Sequence, residues 1–150
     1  MKTDTLTRAY QASIEAAIPA HKAFENICQP SAWWVGNTEG EAKKSGDVFT
    51  VHFSETSFVT FRLGEVIPDK KIVWHVADCY LPHLNDKKEW NGTDIVWEIS
   101  SGNGSTRIDM THVGLVPEVE CYEQCETGWN HYIKESLFKL ITEGKGLPKV

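Results

Sequence analysis

His112 is the residue from which any chemistry in this sequence would start. It follows Ile108 and Met110 at two-residue spacing, inside a stretch from Ser105 to Leu115 that alternates as a strand does. On that face it is an ionisable ring among apolar neighbours. Two roles fit it: a polar anchor at the end of an apolar pocket, or a core histidine satisfied by a backbone carbonyl or by a hydroxyl such as that of Tyr132. An unpaired ring there would be costly, so a partner is expected within the fold. Glu65 is the carboxylate weighed as its acid–base companion, since such a pair must reach substrate together. The Glu65 strand is apolar on parts of both sides, so pattern does not fix which way Glu65 faces. No G-x-S-x-G, H-E-x-x-H, G-x-G-x-x-G or P-loop occurs. Binding is therefore favoured over catalysis, no catalytic residue is assigned, and no cofactor is expected. Cys121 and Cys125 would share a helix face, but no C-x2-C or H-x3-H spacing accompanies them, so no metal site is expected.

The large rings are the other candidates. Trp74, Trp97, Trp129 and Tyr132 all fall on faces expected to point inward, and Phe49, Phe61 and Ile133 share that placement. With Met110 and His112 they make the expected ligand-binding set, because ligand sites are apolar walls carrying a few placed polar groups. The competing reading is a closely packed core with no space between the same side chains. Trp33, Trp34 and the loop from Leu81 to Gly92, with His83 and Trp90, are expected around a cavity mouth, since long aromatic loops serve as lids. Trp33 and Trp34 are adjacent and cannot both face fully inward from a helix.

The elements that must position these residues follow from periodicity. Thr7 to Ala16 reads as a first strand. Pro19 opens a short helix through Cys28, which Pro30 stops, and Ser31 could cap a second one carrying Trp33 and Trp34. From Thr38 the period is two. Strands are expected at Asp47–Phe53, Ser57–Ile67, Lys71–Tyr80, Thr93–Ser101 and Ser105–Leu115, with a hairpin at Gly102-Asn103-Gly104. After Pro117 the period lengthens: Cys121, Cys125, Trp129, Ile133, Leu137 and Ile141 recur every four residues, which predicts one helix of about 23 residues ending at Gly144. Consecutive strands with helices at the two ends give an α+β class with an antiparallel sheet, covered on one face by the last helix.

Composition sets the limits. At 150 residues the chain suits one domain and buries about 70% of its unfolded surface. Fifteen Lys and Arg stand against 21 Asp and Glu, for a net charge of −6, so nucleic acid and anionic membrane are poor partners. The polar opening Met1–Tyr10 has no apolar run behind it, and no stretch is long enough to span a membrane. A cytoplasmic location is expected, and with it four buried thiols rather than disulfides.

Six segments in order carry a resemblance. They are Glu15 through Phe24, Gln29-Pro30 with Trp33-Trp34, Gly46-Asp47-Val48-Phe49, Glu65 through Trp74, Gly104 through His112 with Gly114-Leu115, and Gly128-Trp129 with Leu137 and Gly144. Together the chain resembles the START-like, or SRPBCC, superfamily, and within it the Hsp90-ATPase-activator-homologue domain. Phe24 stands where that family usually has Trp, and Gln29 where it often has Asp. The resemblance implies a helix-grip fold, a curved antiparallel sheet wrapped around a long C-terminal helix with two short helices after strand 1. It implies a cavity for a small apolar or aromatic molecule. It also admits a chaperone ATPase-activator role, or a cyclase- or dehydratase-like activity on a polyketide-like substrate. The oligomeric state, monomer or homodimer, stays open.

Overall fold

The computed structural model describes residues 9–149. Seven strands form one antiparallel sheet in the order β1-β7-β6-β5-β4-β3-β2. They are β1 (Tyr10–Ala16), β2 (Thr38–Gly40), β3 (Val48–His52), β4 (Phe58–Ile67), β5 (Lys71–Tyr80), β6 (Asp94–Gly102) and β7 (Ser105–Val113). Thr7 and Arg8, expected at the start of the first strand, lie outside the described residues. The strand itself alternates cleanly: Tyr10, Ala12, Ile14 and Ala16 are buried and the residues between them exposed. Small residues on the inward side suit a strand that lies directly beside the C-terminal helix.

The β6–β7 hairpin turns on Asn103 and Gly104, both at positive φ (55° and 81°), which matches the twist of the flanking strands. Its register sets Trp97 opposite Met110 and Ile95 opposite His112. β5 continues the layer with Trp74 opposite Ile95 and Ile72 opposite Trp97. Register shifts between Thr60 and Phe61, and between Leu63 and Val66, bend β4 against β5. Within the second shift Glu65 faces outward and pairs with Lys71 Nζ at 3.0 Å, so the Glu65–His112 pair does not form.

Two short helices follow β1: α1 (Ala20–Ile27) and α2 (Pro30–Trp33). Pro30 does not merely stop α1. It opens α2, whose N-cap is Gln29 and not Ser31. The helix ends at Trp33, and Trp34 leaves it with φ −108° and ψ −78°. That release corrects the expectation for the tryptophan pair: Trp33 and Trp34 are both buried, because only one of them obeys helical spacing.

The C-terminal rod is also not a uniform α-helix. It runs as α3 (Tyr122–His131), a π-helical stretch (Tyr132–Leu137) and α4 (Phe138–Glu143), closed by Gly144 in the left-handed conformation. The sequence contains the reason. A strict four-residue repeat drifts about 40° per step on a helix of 3.6 residues per turn. Cys121, Trp129, Ile133, Leu137 and Ile141 stay buried along the whole rod because the wider π turn winds the stripe back toward the sheet.

Ser136 lies in that π stretch and is fully buried. Its hydroxyl donates to the Trp33 carbonyl at 2.6 Å and accepts the Leu147 N–H at 2.7 Å, tying α2, the rod and the C-terminal tail together. Ser136→Ala should cost about 1–3 kcal/mol by leaving the buried Trp33 carbonyl and the part-buried Leu147 N–H without this partner. Urea unfolding of the variant checks this, and an unchanged midpoint would show that the hydroxyl is dispensable.

Candidate functional site

Helix spacing builds one wall of a pocket. Cys121, Gln124, Cys125, Gly128 and Tyr132 recur at intervals of three and four residues and face it together, with Trp129 beside them. The facing wall comes from the loop between β5 and β6, through Leu81, Pro82, His83 and Trp90. Trp34 forms the third side with Phe53, Ser54 and Ser57 from the β3–β4 turn. The pocket, open on one side, has a volume of about 530 Å³, within the usual range for drug-sized ligands.

The loop from Leu81 to Gly92 is anchored, not free. Leu81, Leu84 and Trp90 are buried in it. The Glu89 carboxylate accepts the backbone N–H groups of Glu120 and Cys121, both at 3.0 Å, and so caps the start of α3. The Glu120 carboxylate in turn accepts the Asn85 N–H at 2.9 Å. Trp34, His83 and Trp90, expected at a cavity mouth, all stand in the pocket wall, whereas Trp33 lies beneath it.

His112 sits behind this wall with no exposure. The Trp129 indole N–H donates to its Nδ1 at 3.1 Å. The Thr93 hydroxyl donates to the Trp90 carbonyl at 2.7 Å, so its oxygen is left to accept from His112 Nε2, 3.0 Å away. A neutral ring protonated at Nε2 satisfies every group in the chain. Burial alone pushes the His112 pKa down to about 3. The ring also stands edge-on to Trp90, with centroids 4.7 Å apart. His112 thus holds two wall tryptophans in place. The partners are Trp129 and Thr93, not a carbonyl or Tyr132. Gly114, at φ +105°, lets this region close: a Cβ there would lie 2.6 Å from Thr93 Cγ2.

Of the nine residues read from the sequence as ligand-binding, Trp129 and Tyr132 line the pocket. The other seven, Phe49, Phe61, Trp74, Trp97, Met110, His112 and Ile133, are buried and do not line it. Phe49, Phe61, Trp74 and Trp97 form a packed ring cluster, in which Phe49 meets Phe61 and Trp74 at 4.9 Å and Trp74 meets Trp97 at 5.2 Å. All six tryptophans join one chain of ring contacts, from Trp97 and Trp33 through Trp74 and Trp34 to Trp129 and Trp90. The indole N–H groups of Trp33, Trp74, Trp90 and Trp97 are buried without a nitrogen or oxygen partner among the described residues. Edge-to-face contacts such as Trp33 on Trp97 offer them ring faces as weak acceptors.

Sequence reasoning missed the β3–β4 turn residues and the small residues of α3. Gly128 carried a signal: glycine inside a helix costs about 1 kcal/mol relative to alanine, which invites a packing or functional reason. A Cβ built there meets nothing within 4 Å. The cysteines also depart from expectation. Cys121 and Cys125, one turn apart in the wall, are joined as a disulfide, while Cys28 and Cys79 are buried free thiols.

A curved antiparallel sheet closed by a C-terminal helical rod, with a pocket at the rod's N-terminal end, defines a helix-grip protein of the START-like class. The family model described as activator of Hsp90 ATPase homolog 1-like protein matches residues 17–142, and the chain belongs to that family. Solved structures agree on the fold. The Aha1 dimer from Colwellia psychrerythraea is 21% identical with a TM-score of 0.74, over 91% of this chain and 97% of that one. DynU16, from the dynemicin biosynthetic locus, is 16% identical with a TM-score of 0.68, over 93% of this chain and 49% of that one. A protein from Mesorhizobium loti is 14% identical with a TM-score of 0.68, over 92% of this chain and all of that one (100%). No curated protein sequence matches. Among the described residues no helix is long and apolar enough to cross a membrane.

Proposed function

We propose that this protein binds a small apolar or aromatic molecule in the pocket between α3, the Leu81–Gly92 loop and the β3–β4 turn. The observation that carries the reading is Gly128: a helical position that sacrifices stability and faces open space in an aromatic wall. Trp129 and Tyr132 touch the ligand directly, together with Trp34 and Trp90. Phe49, Phe61, Trp74, Trp97, Met110 and Ile133 form the rigid layer behind them, and His112 fixes the orientation of Trp129. No chemical step is assigned. A buried neutral histidine behind the wall has no reach to a substrate, which argues against the cyclase-like reading.

A neutral aromatic fluorophore such as N-phenyl-1-naphthylamine tests the proposal. Binding should quench tryptophan emission and raise Tm, because ligand at 100 times Kd adds about 2.7 kcal/mol. If no compound in a broad apolar panel changes either signal, the pocket is not a ligand site. Family membership supports a second reading, an interaction with an Hsp90-type chaperone. Its test is the chaperone's ATPase rate and complex formation with the protein added, and no change in either removes it.

A further inference from the structure

We infer that the pocket selects an organic cation, an aromatic or alkyl amine or quaternary ammonium, over a neutral or anionic compound of the same shape. This rests on the pocket being the ligand site.

Three features of the molecule converge on that charge. First, the wall contains no Lys, Arg, Asp or Glu, so a ligand carboxylate, sulfonate or phosphate would enter it without a basic partner. Second, five of its side chains, Trp34, Phe53, Trp90, Trp129 and Tyr132, are aromatic. Ring faces carry the negative side of the π quadrupole, and they attract a desolvated cation and repel an anion. Third, the segments beside the pocket are acidic. Residues 81–92 and 118–132 hold six Asp or Glu against two Lys, a large part of the molecule's net charge of −6.

Two of these carboxylates are fixed in place beside the wall. Glu89 precedes wall residue Trp90 and is bonded to the N–H of wall residue Cys121. Glu120 precedes Cys121 and is bonded to Asn85 of the loop. Neither has an ion-pair partner among the described residues. The two lysines of the loop are engaged elsewhere, Lys88 with Asp78 at 2.8 Å and Lys87 with the Leu84 carbonyl at 3.2 Å. Glu89 is partly offset by the positive end of α3, which leaves Glu120 the less compensated charge.

The test uses three probes that share a naphthylmethyl group and carry a trimethylammonium, a hydroxyl or a sulfonate. Affinities are read from tryptophan quenching of the full-length protein at pH 8 and low salt. The ammonium should bind about tenfold tighter than the sulfonate, with the alcohol between them. In Glu89→Gln/Glu120→Gln, which keeps hydrogen-bond acceptors at both positions, the advantage over the sulfonate should shrink several-fold. The comparison is internal to each protein, so a modest loss of stability does not disturb it. If the alcohol or sulfonate binds as tightly as the ammonium, or the double variant retains the full preference, the charge inference is overturned while the pocket reading stands. If none of the three binds, both fall.

Discussion

Replacing His112 with alanine is expected to lower the unfolding free energy by about 4 kcal/mol, a large share of the 5–15 kcal/mol typical of a domain. Two costs combine. A fully buried ring is removed from a closely packed region, leaving a cavity. The Trp129 indole N–H loses the His112 nitrogen that accepts it and becomes an unpaired donor in the interior. Because His112 orients Trp129 and Trp90, ligand affinity should fall in the same variant. Urea unfolding gives the first effect and fluorophore titration the second.

The same residue should control part of the pH profile. The native pKa is about 3, against an ordinary value of 6.5. Between those values the unfolded chain holds a proton that the native chain refuses, so stability rises with pH across the window and levels off above it. Acidification from pH 6.5 toward 5 should therefore cost about 1 kcal/mol per unit. In His112→Phe this component should vanish. His21 acts in the opposite sense, since Asp69 and Glu25 raise its pKa, but it is exposed and common to both proteins. Identical acid slopes in the two proteins would mean that His112 is not the buried neutral group described.

Gly128→Phe is expected to abolish ligand binding, by about a hundredfold or more, while the protein stays folded. The glycine lies in α3 with nothing within 4 Å of its missing Cβ, so a ring there enters the pocket without striking the backbone or the core. Gly128→Ala is the control. It should raise stability by up to about 1 kcal/mol, because alanine restricts the helix less unfavourably than glycine. The alanine methyl should leave most of the 530 Å³ open. Full affinity in a folded Gly128→Phe protein would move the binding site elsewhere.

The fold was largely legible in the chain. Alternation placed Ile108, Met110 and His112 on the buried side of β7, and the hairpin at Gly102–Gly104 follows from glycine and asparagine at positive φ. The four-residue repeat after Pro117 located the C-terminal rod, and it also encoded the departure from an α-helix that a 3.6-residue template overlooks. The candidate site was legible only in part. Trp129 and Tyr132 reach the pocket, but Phe49, Phe61, Trp74 and Trp97 pack against one another. The expectation that Trp33 and Trp34 cannot both face inward fails because the helix ends at Trp33, which changes where the second ring goes.

By itself, then, the sequence determined the order of elements, which side of most of them faces inward, and that those sides carry Trp74, Trp97, Trp129 and His112. Tertiary structure alone decided which rings are packed solid and which border empty space, and that His112 meets Trp129 and Thr93. The physical reason is that periodicity is a property of one element, whereas a cavity and a hydrogen-bond chain depend on how several rigid elements dock. The 3.0 and 3.1 Å hydrogen bonds that join Thr93, His112 and Trp129, and the open space in front of Gly128, are set by that docking and by nothing local to any one element.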